Sequence, residues 1–295
     1  MTWIRNYQSV CKTLGMAFSQ EEHEMTIKDI LVYLDNDDDC AQRVLSAAQW
    51  CHYFDAHLTG LYAIRLLNIH HYPYAYLPAT AFEALEAHAT EQCDEAKAVF
   101  VENANMGDAS GEFRAVKGEI IGPLEIQSRY TDILVVPNQH ANNKKMNPRY
   151  LVSDILLAAA CPVLVLPEDH SPVTLPLQRV LVAWDGSHEC ARALKSALPM
   201  LAKTEEVDVV SVSSNKQDAD DIAQHISRHG IKTNIHLVEG SSFDAGSTLL
   251  KHAENLNSQL IVMGAYGHSR LREQVLGDAT QHTLHHARLP ILFSH

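Results

Sequence analysis

Short, unbroken apolar runs recur along the chain, separated by longer stretches in which polar and apolar residues mix. Ile30-Leu31-Val32-Tyr33-Leu34, Ile133-Leu134-Val135-Val136, Val180-Leu181-Val182-Ala183-Trp184 and Leu260-Ile261-Val262-Met263 are continuous and not alternating. Such runs fit parallel strands covered on both faces. The pattern predicts strands near 28–35, 56–65, 112–117, 132–136 and 162–166, with helices near 39–55, 78–105, 121–130 and 148–160. A second series follows, with strands near 179–184, 206–213, 232–238, 259–263 and 290–294 and helices near 187–203, 217–229, 243–257 and 274–287. Strand and helix alternate throughout. That order implies parallel pairing through right-handed crossovers, hence an α/β architecture of two doubly wound five-stranded sheets.

The two series are related to each other. Ile30-Leu31-Val32-Tyr33-Leu34-Asp35 matches Val180-Leu181-Val182-Ala183-Trp184-Asp185, a hydrophobic strand ending in an aspartate. Asp132–Val136 matches Gln259–Met263, and Cys161–Leu166 matches Leu289–Phe293. Three matches in one order indicate a duplication. The polar, proline-bounded stretch Pro167-Glu168-Asp169-His170-Ser171-Pro172 reads as the link between copies. The expected organisation is a leader at 1–26, a first domain at 27–168, a linker at 169–177 and a second domain at 178–295.

Charge narrows the partners. A formal net charge of -13 argues against a nucleic-acid or anionic-membrane surface, because both require a basic patch, and no Lys/Arg cluster supplies one. The leader contains Arg5 and Lys12 but no apolar segment long enough for a secretory signal or a membrane span. The six cysteines are scattered without a CxxC pair, as in reduced core thiols. These features point to the cytoplasm.

The stretch most suggestive of chemistry begins where the run Leu260–Met263 ends. It reads Gly264-Ala265-Tyr266-Gly267-His268-Ser269 and continues to Gly277-Asp278-Ala279-Thr280. Gly264 and Gly267 at the strand exit let the backbone turn tightly and approach a ligand closely, and Gly277 opens a helix whose first N–H groups favour an anion. The spacing Gly264-x2-Gly267-x9-Gly277 resembles the nucleotide-binding loop of universal stress proteins. The resemblance covers roughly 27–168 and 178–294 and implies the adenine-nucleotide alpha hydrolase-like fold, in a tandem arrangement. It further implies that the last strands of the two domains pair, making a pseudo-dimer within one chain; a further homodimer is left open.

From the same resemblance, Asp185 would contact the adenosine, backbone near Val212 would face the base, and Gly264, Gly267, His268, Gly277, Asp278, Ala279 and Thr280 would surround the phosphates. The family places a hydroxyl residue after its third glycine, whereas this chain has Asp278. A carboxylate beside phosphate is repulsive unless a cation such as Mg²⁺ bridges them, so ATP with Mg²⁺ is the form of ligand to expect. In the first copy Pro137 holds the place of Gly264, and Asn138–Lys145 contains no glycine, so that copy is expected not to bind. Ser187 reads most simply as a helix N-cap.

Other chemistry finds little support in the sequence. His282, His285 and His286 share a helical face and His70-His71 are adjacent, yet neither set shows a converging ligand group, and solvent-facing histidines are expected. The His/Tyr-rich segment 70–76 reads as a cap or a loop tucked on the sheet. No nucleophile elbow, HExxH or Walker lysine is present, so no catalytic residue is assigned, although slow ATP hydrolysis stays open. Two functions stand: a stress-response regulator holding an adenine nucleotide in its second domain, or a nucleotide-free scaffold of the same fold acting through dimerisation and protein partners.

Overall fold

The computed structural model describes residues 26–64, 79–138, 152–168, 170, 175–211, 216–238, 245–266 and 277–295. Its first half runs β1 (Asp29–Leu34), α1 (Cys40–Phe54), β2 (His57–Ile64), α2 (Ala79–Met106), β3 (Gly111–Lys117), α3 (Ile121–Ser128), β4 (Ile133–Pro137), α4 (Val152–Ala158) and β5 (Val163–Leu166). The second half repeats the order: β6 (Arg179–Trp184), α5 (His188–Leu201), β7 (Glu206–Ser211), α6 (Lys216–Ser227), β8 (Thr233–Leu237), α7 (Ala245–Asn255), β9 (Leu260–Gly264), α8 (Asp278–His286) and β10 (Ile291–Ser294).

All ten strands form one sheet in the order β3-β2-β1-β4-β5-β10-β9-β6-β7-β8. Pairing is parallel within each half and antiparallel only at the centre, where Ile291 faces Val165, Leu292 faces Leu164 and Phe293 faces Val163. The expected union of the last strands is therefore present, and it turns two five-stranded halves into a single sheet. Neither terminal strand is left as an open edge.

Helices cover both faces, which is why the inner strands lack alternation. One face packs Val44 and Phe54 of α1, Phe100 of α2, Leu194 of α5 and Ile226 of α6 against Val32, Val182 and Leu292. The other packs Leu124 of α3, Leu156 of α4, Leu249 of α7 and Leu284 of α8 against Leu134, Ile261 and Phe293. Burying each of these large apolar side chains is worth about 1.5–3 kcal/mol. The outermost strands β3 and β8 face no second neighbour and carry polar and charged residues, as in Arg114, Lys117, Asn234 and His236.

Among the described residues, no helix is long and apolar enough to cross a membrane. Cys40, Cys51 and Cys190 are buried, Cys93 and Cys161 are half-buried, and all five are free. The segment 70–76 lies outside the described residues.

Candidate functional site

Strands β6 and β9 are paired, with Val180 opposite Leu260 and Val182 opposite Val262, so their carboxyl ends open side by side at one edge of the sheet. Asp185 and Gly264 stand at those two ends. A crevice beyond the carboxyl ends of parallel strands is where this class of fold receives ligands.

Asp185 is exposed, and its Oδ1 accepts the amide of Ser187 at 2.8 Å. Gly186 follows with φ of +76°, a conformation that suits glycine, and a Cβ there would meet Asp218 Oδ2 at 2.7 Å. Ser187 then caps α5 by accepting the Cys190 amide at 3.2 Å, as its place in the sequence predicts. Burial, reinforced by Asp185, pushes the Cys190 thiol up to about 12, so it is no nucleophile at neutral pH.

Gly264 is the last residue of β9 and does not make the tight turn expected of it. It is paired in the ladder with Ser294. A Cβ at this position would lie 2.6 Å from Cys190 N, 2.7 Å from Glu189 C and 2.8 Å from Glu189 Cβ. Its smallness lets β9 end against the first turn of α5. The left-handed turn belongs to Tyr266, with φ of +67°. Tyr266 is 6% exposed and donates its hydroxyl to Ser153 O at 2.8 Å, across the junction between the halves. Burial pushes that hydroxyl up to about 12, which keeps it a donor.

Gly277 is the N-cap of α8, with φ −59° and ψ 146° and no side chain to bond the first-turn amides. Among the described residues a Cβ there would meet nothing within 4 Å, so close packing against them is not why this position holds glycine. Asp278 is exposed in the first turn, Ala279 is half-buried, and Thr280 lies with Thr283 and Leu284 on the packed side of the helix. The structure thus turns Asp278 outward and Thr280 inward. Helix α8 is itself seated closely on α7, where a Cβ on Gly246 would lie 2.9 Å from Ala279 O. Val212, Gly267 and His268 lie outside the described residues.

In α8, His282 and His286 stack at 4.2 Å between ring centroids, and His286 Nδ1 lies 2.9 Å from His282 O. These histidines form no metal-ligand group among the described residues.

The first half differs in a way the sequence did not announce. Asp35 is the counterpart of Asp185, and Asp35, Asp37 and Asp39 bring carboxylate oxygens within 4.8 Å of one another. The chain supplies its own cation there. Arg43 of α1, with no exposed surface, donates Nη2 to Asp35 Oδ1 at 2.7 Å, Nη1 to Asp39 Oδ2 at 3.1 Å and Nε to Tyr33 O at 3.0 Å. A strand-tip carboxylate held this way, 7% exposed, is closed to solvent where Asp185 is open to it. The signal in the sequence was an arginine one turn into a helix whose inner face is otherwise made of apolar or small residues. Asn138, just after Pro137, is 4% exposed and donates Nδ2 to Leu284 O of α8 at 2.6 Å.

Comparison with known proteins agrees with this architecture. Residues 215–295 match the universal stress protein family. Over 139 residues the chain is 30% identical to universal stress protein Slr1230 of Synechocystis, covering 44% of this chain and 46% of that protein. The chain thus spans about half the length of the curated relative it matches. Among solved structures, a universal stress protein from Archaeoglobus fulgidus is 17% identical and superposes with a TM-score of 0.70 over 90% of this chain and 96% of that one. A functionally unknown protein from Pseudomonas aeruginosa PAO1, also 17% identical, gives 0.56 over 91% and 92%. At that identity the two structures speak to fold alone, and both reach across the two halves. The match of residues 215–295 makes the second half similar to the universal stress protein family, and the two structures show that the whole chain has that fold in a tandem arrangement.

Proposed function

We propose that the second half binds an adenine nucleotide, ATP with Mg²⁺, and that occupancy alters a surface read by protein partners in a stress response. The observation that carries this reading is the bare N-terminus of α8. Gly277 offers no capping side chain, and among the described residues nothing stands where its Cβ would be, so neither φ nor packing against them requires glycine. An anion such as phosphate is the natural complement of first-turn amides and the positive end of a helix dipole. Asp185 stands exposed at the neighbouring crevice, where a carboxylate suits ribose hydroxyls.

Asp278 decides the form of the ligand. Its carboxylate stands in the first turn and repels phosphate unless a hard cation takes oxygens from both, which is the ordinary role of Mg²⁺ beside a triphosphate. The proposed role is binding, and no proton transfer or nucleophile is assigned to it. A second reading rests on the same residue: Asp278 already provides negative charge at the helix N-terminus, and the protein would then act as a nucleotide-free scaffold.

Calorimetric titration of the full chain with ATP, with and without Mg²⁺, separates the two. The nucleotide reading expects micromolar binding that requires Mg²⁺ and is lost in Gly277→Val. Binding that survives Gly277→Val removes the site assignment, and absence of heat under all conditions favours the scaffold.

A further inference from the structure

The antiparallel pairing of β5 with β10 relates the halves by an approximate two-fold axis, and the exits of β4 and β9 are counterparts across it. Each exit reaches over the junction to the last helix of the other half. Asn138, after β4, takes Leu284 O in the last turn of α8 at 2.6 Å, while its own amide donates to Leu166 O at 2.6 Å. Tyr266, after β9, takes Ser153 O in the first turn of α4 at 2.8 Å, while the amide of Ala265 donates to Ser294 O at 2.9 Å.

Both bonds are buried, and both fall on parts that frame the second-half site. Leu284 O belongs to the last turn of α8, where carbonyls lack intrahelical donors, so Asn138 fixes one end of the helix whose other end is Gly277. Tyr266 holds a left-handed backbone that a bulky residue rarely adopts, two residues beyond Gly264. Such a conformation persists where its surroundings over-determine it, and here a buried ring and a hydrogen bond to the other half do so.

We propose that Tyr266 and Asn138 are positioning residues for the nucleotide site, so that the first half, which presents no site of its own, acts as the rigid support of the second and registers its occupancy through α4. The inference rests on the nucleotide reading above. It explains why each exit places a polar side chain on the opposite half and not on its own loop. It also makes ligand binding and the junction reciprocal: whatever fixes Tyr266 and α8 on one side must be felt at Ser153 and Asn138 on the other.

The test compares wild type, Tyr266→Phe and Asn138→Ala in the full chain, using ATP with Mg²⁺ as the probe. Each variant removes one buried hydrogen bond, and affinity is expected to fall roughly three- to tenfold. Hydrogen exchange then separates positioning from general loosening. ATP should slow exchange of α4 amides in wild type and leave them unchanged in Tyr266→Phe, whereas a purely structural role would alter exchange equally with and without ligand. Wild-type binding with both variants within twofold of it overturns the inference and leaves the nucleotide reading standing. ATP-independent exchange of α4 in a wild type that binds also overturns it, and failure of the wild type to bind overturns both.

Discussion

Two glycines of the same motif should differ sharply in their response to alanine. In Gly264→Ala the new methyl would sit 2.6 Å from Cys190 N, 2.7 Å from Glu189 C and 2.8 Å from Glu189 Cβ. Two of these three atoms are backbone, so relief requires α5 to withdraw by several tenths of an ångström or more. Overpacking of this kind costs about 1–3 kcal/mol. Withdrawal also strains the 3.2 Å cap between Ser187 Oγ and Cys190 N, whose complete loss is worth about 1 kcal/mol. The expected total is about 2–4 kcal/mol. In Gly277→Ala the methyl meets nothing, and φ is already −59°. A gain of about 0.4–1 kcal/mol from the stiffer unfolded chain is offset by alanine's poor N-cap preference, leaving stability within about 1 kcal/mol of wild type. Urea unfolding followed by circular dichroism reads both, with the midpoint shifting and the slope unchanged. A Gly264→Ala midpoint equal to wild type would refute the packing argument. So would a Gly277→Ala loss as large as that of Gly264→Ala.

Three further outcomes follow from the same geometry. Arg43→Met leaves Asp35 buried without its ion pair and should destabilise by about 3–5 kcal/mol, with much of the loss recovered when Asp35→Leu is added; urea midpoints of the two variants check it. His170 is buried with Nε2 on Ser46 Oγ at 3.0 Å and Nδ1 on Pro167 O at 2.9 Å, and burial holds its pKa below 6.5. Its neutral form is favoured in the fold, so stability should be full above about pH 6.5 and decline as pH falls toward the depressed folded value, a decline blunted in His170→Asn when melting is followed against pH. Phe293→Ala, with no exposed surface at the centre of the sheet, should cost about 3–5 kcal/mol in thermal or urea unfolding.

Much of the fold was legible because burial on both faces writes itself into the chain. β4, β6 and β9 are nearly pure apolar runs, whereas the joining of β5 to β10 was legible only through the resemblance to universal stress proteins. Ser187 was legible as a cap for the same local reason. The site was less so, because its determinants are distances between elements remote in sequence. Gly264 looked like a turn residue, but its constraint is the approach of α5, and the turn itself falls on Tyr266. Arg43 gave a faint signal, since one arginine in a helix is ordinarily solvated, and only the tertiary fold turns it onto Asp35. Nothing local marks Asn138 or Tyr266 as ties to the opposite half.

The central claim is that one half of this chain holds a nucleotide and the other, with Arg43 on its strand-tip aspartate, does not. Native mass spectrometry of the full chain in excess ATP and Mg²⁺ counts the sites directly. One nucleotide bound per chain is the predicted result, and zero or two would contradict it.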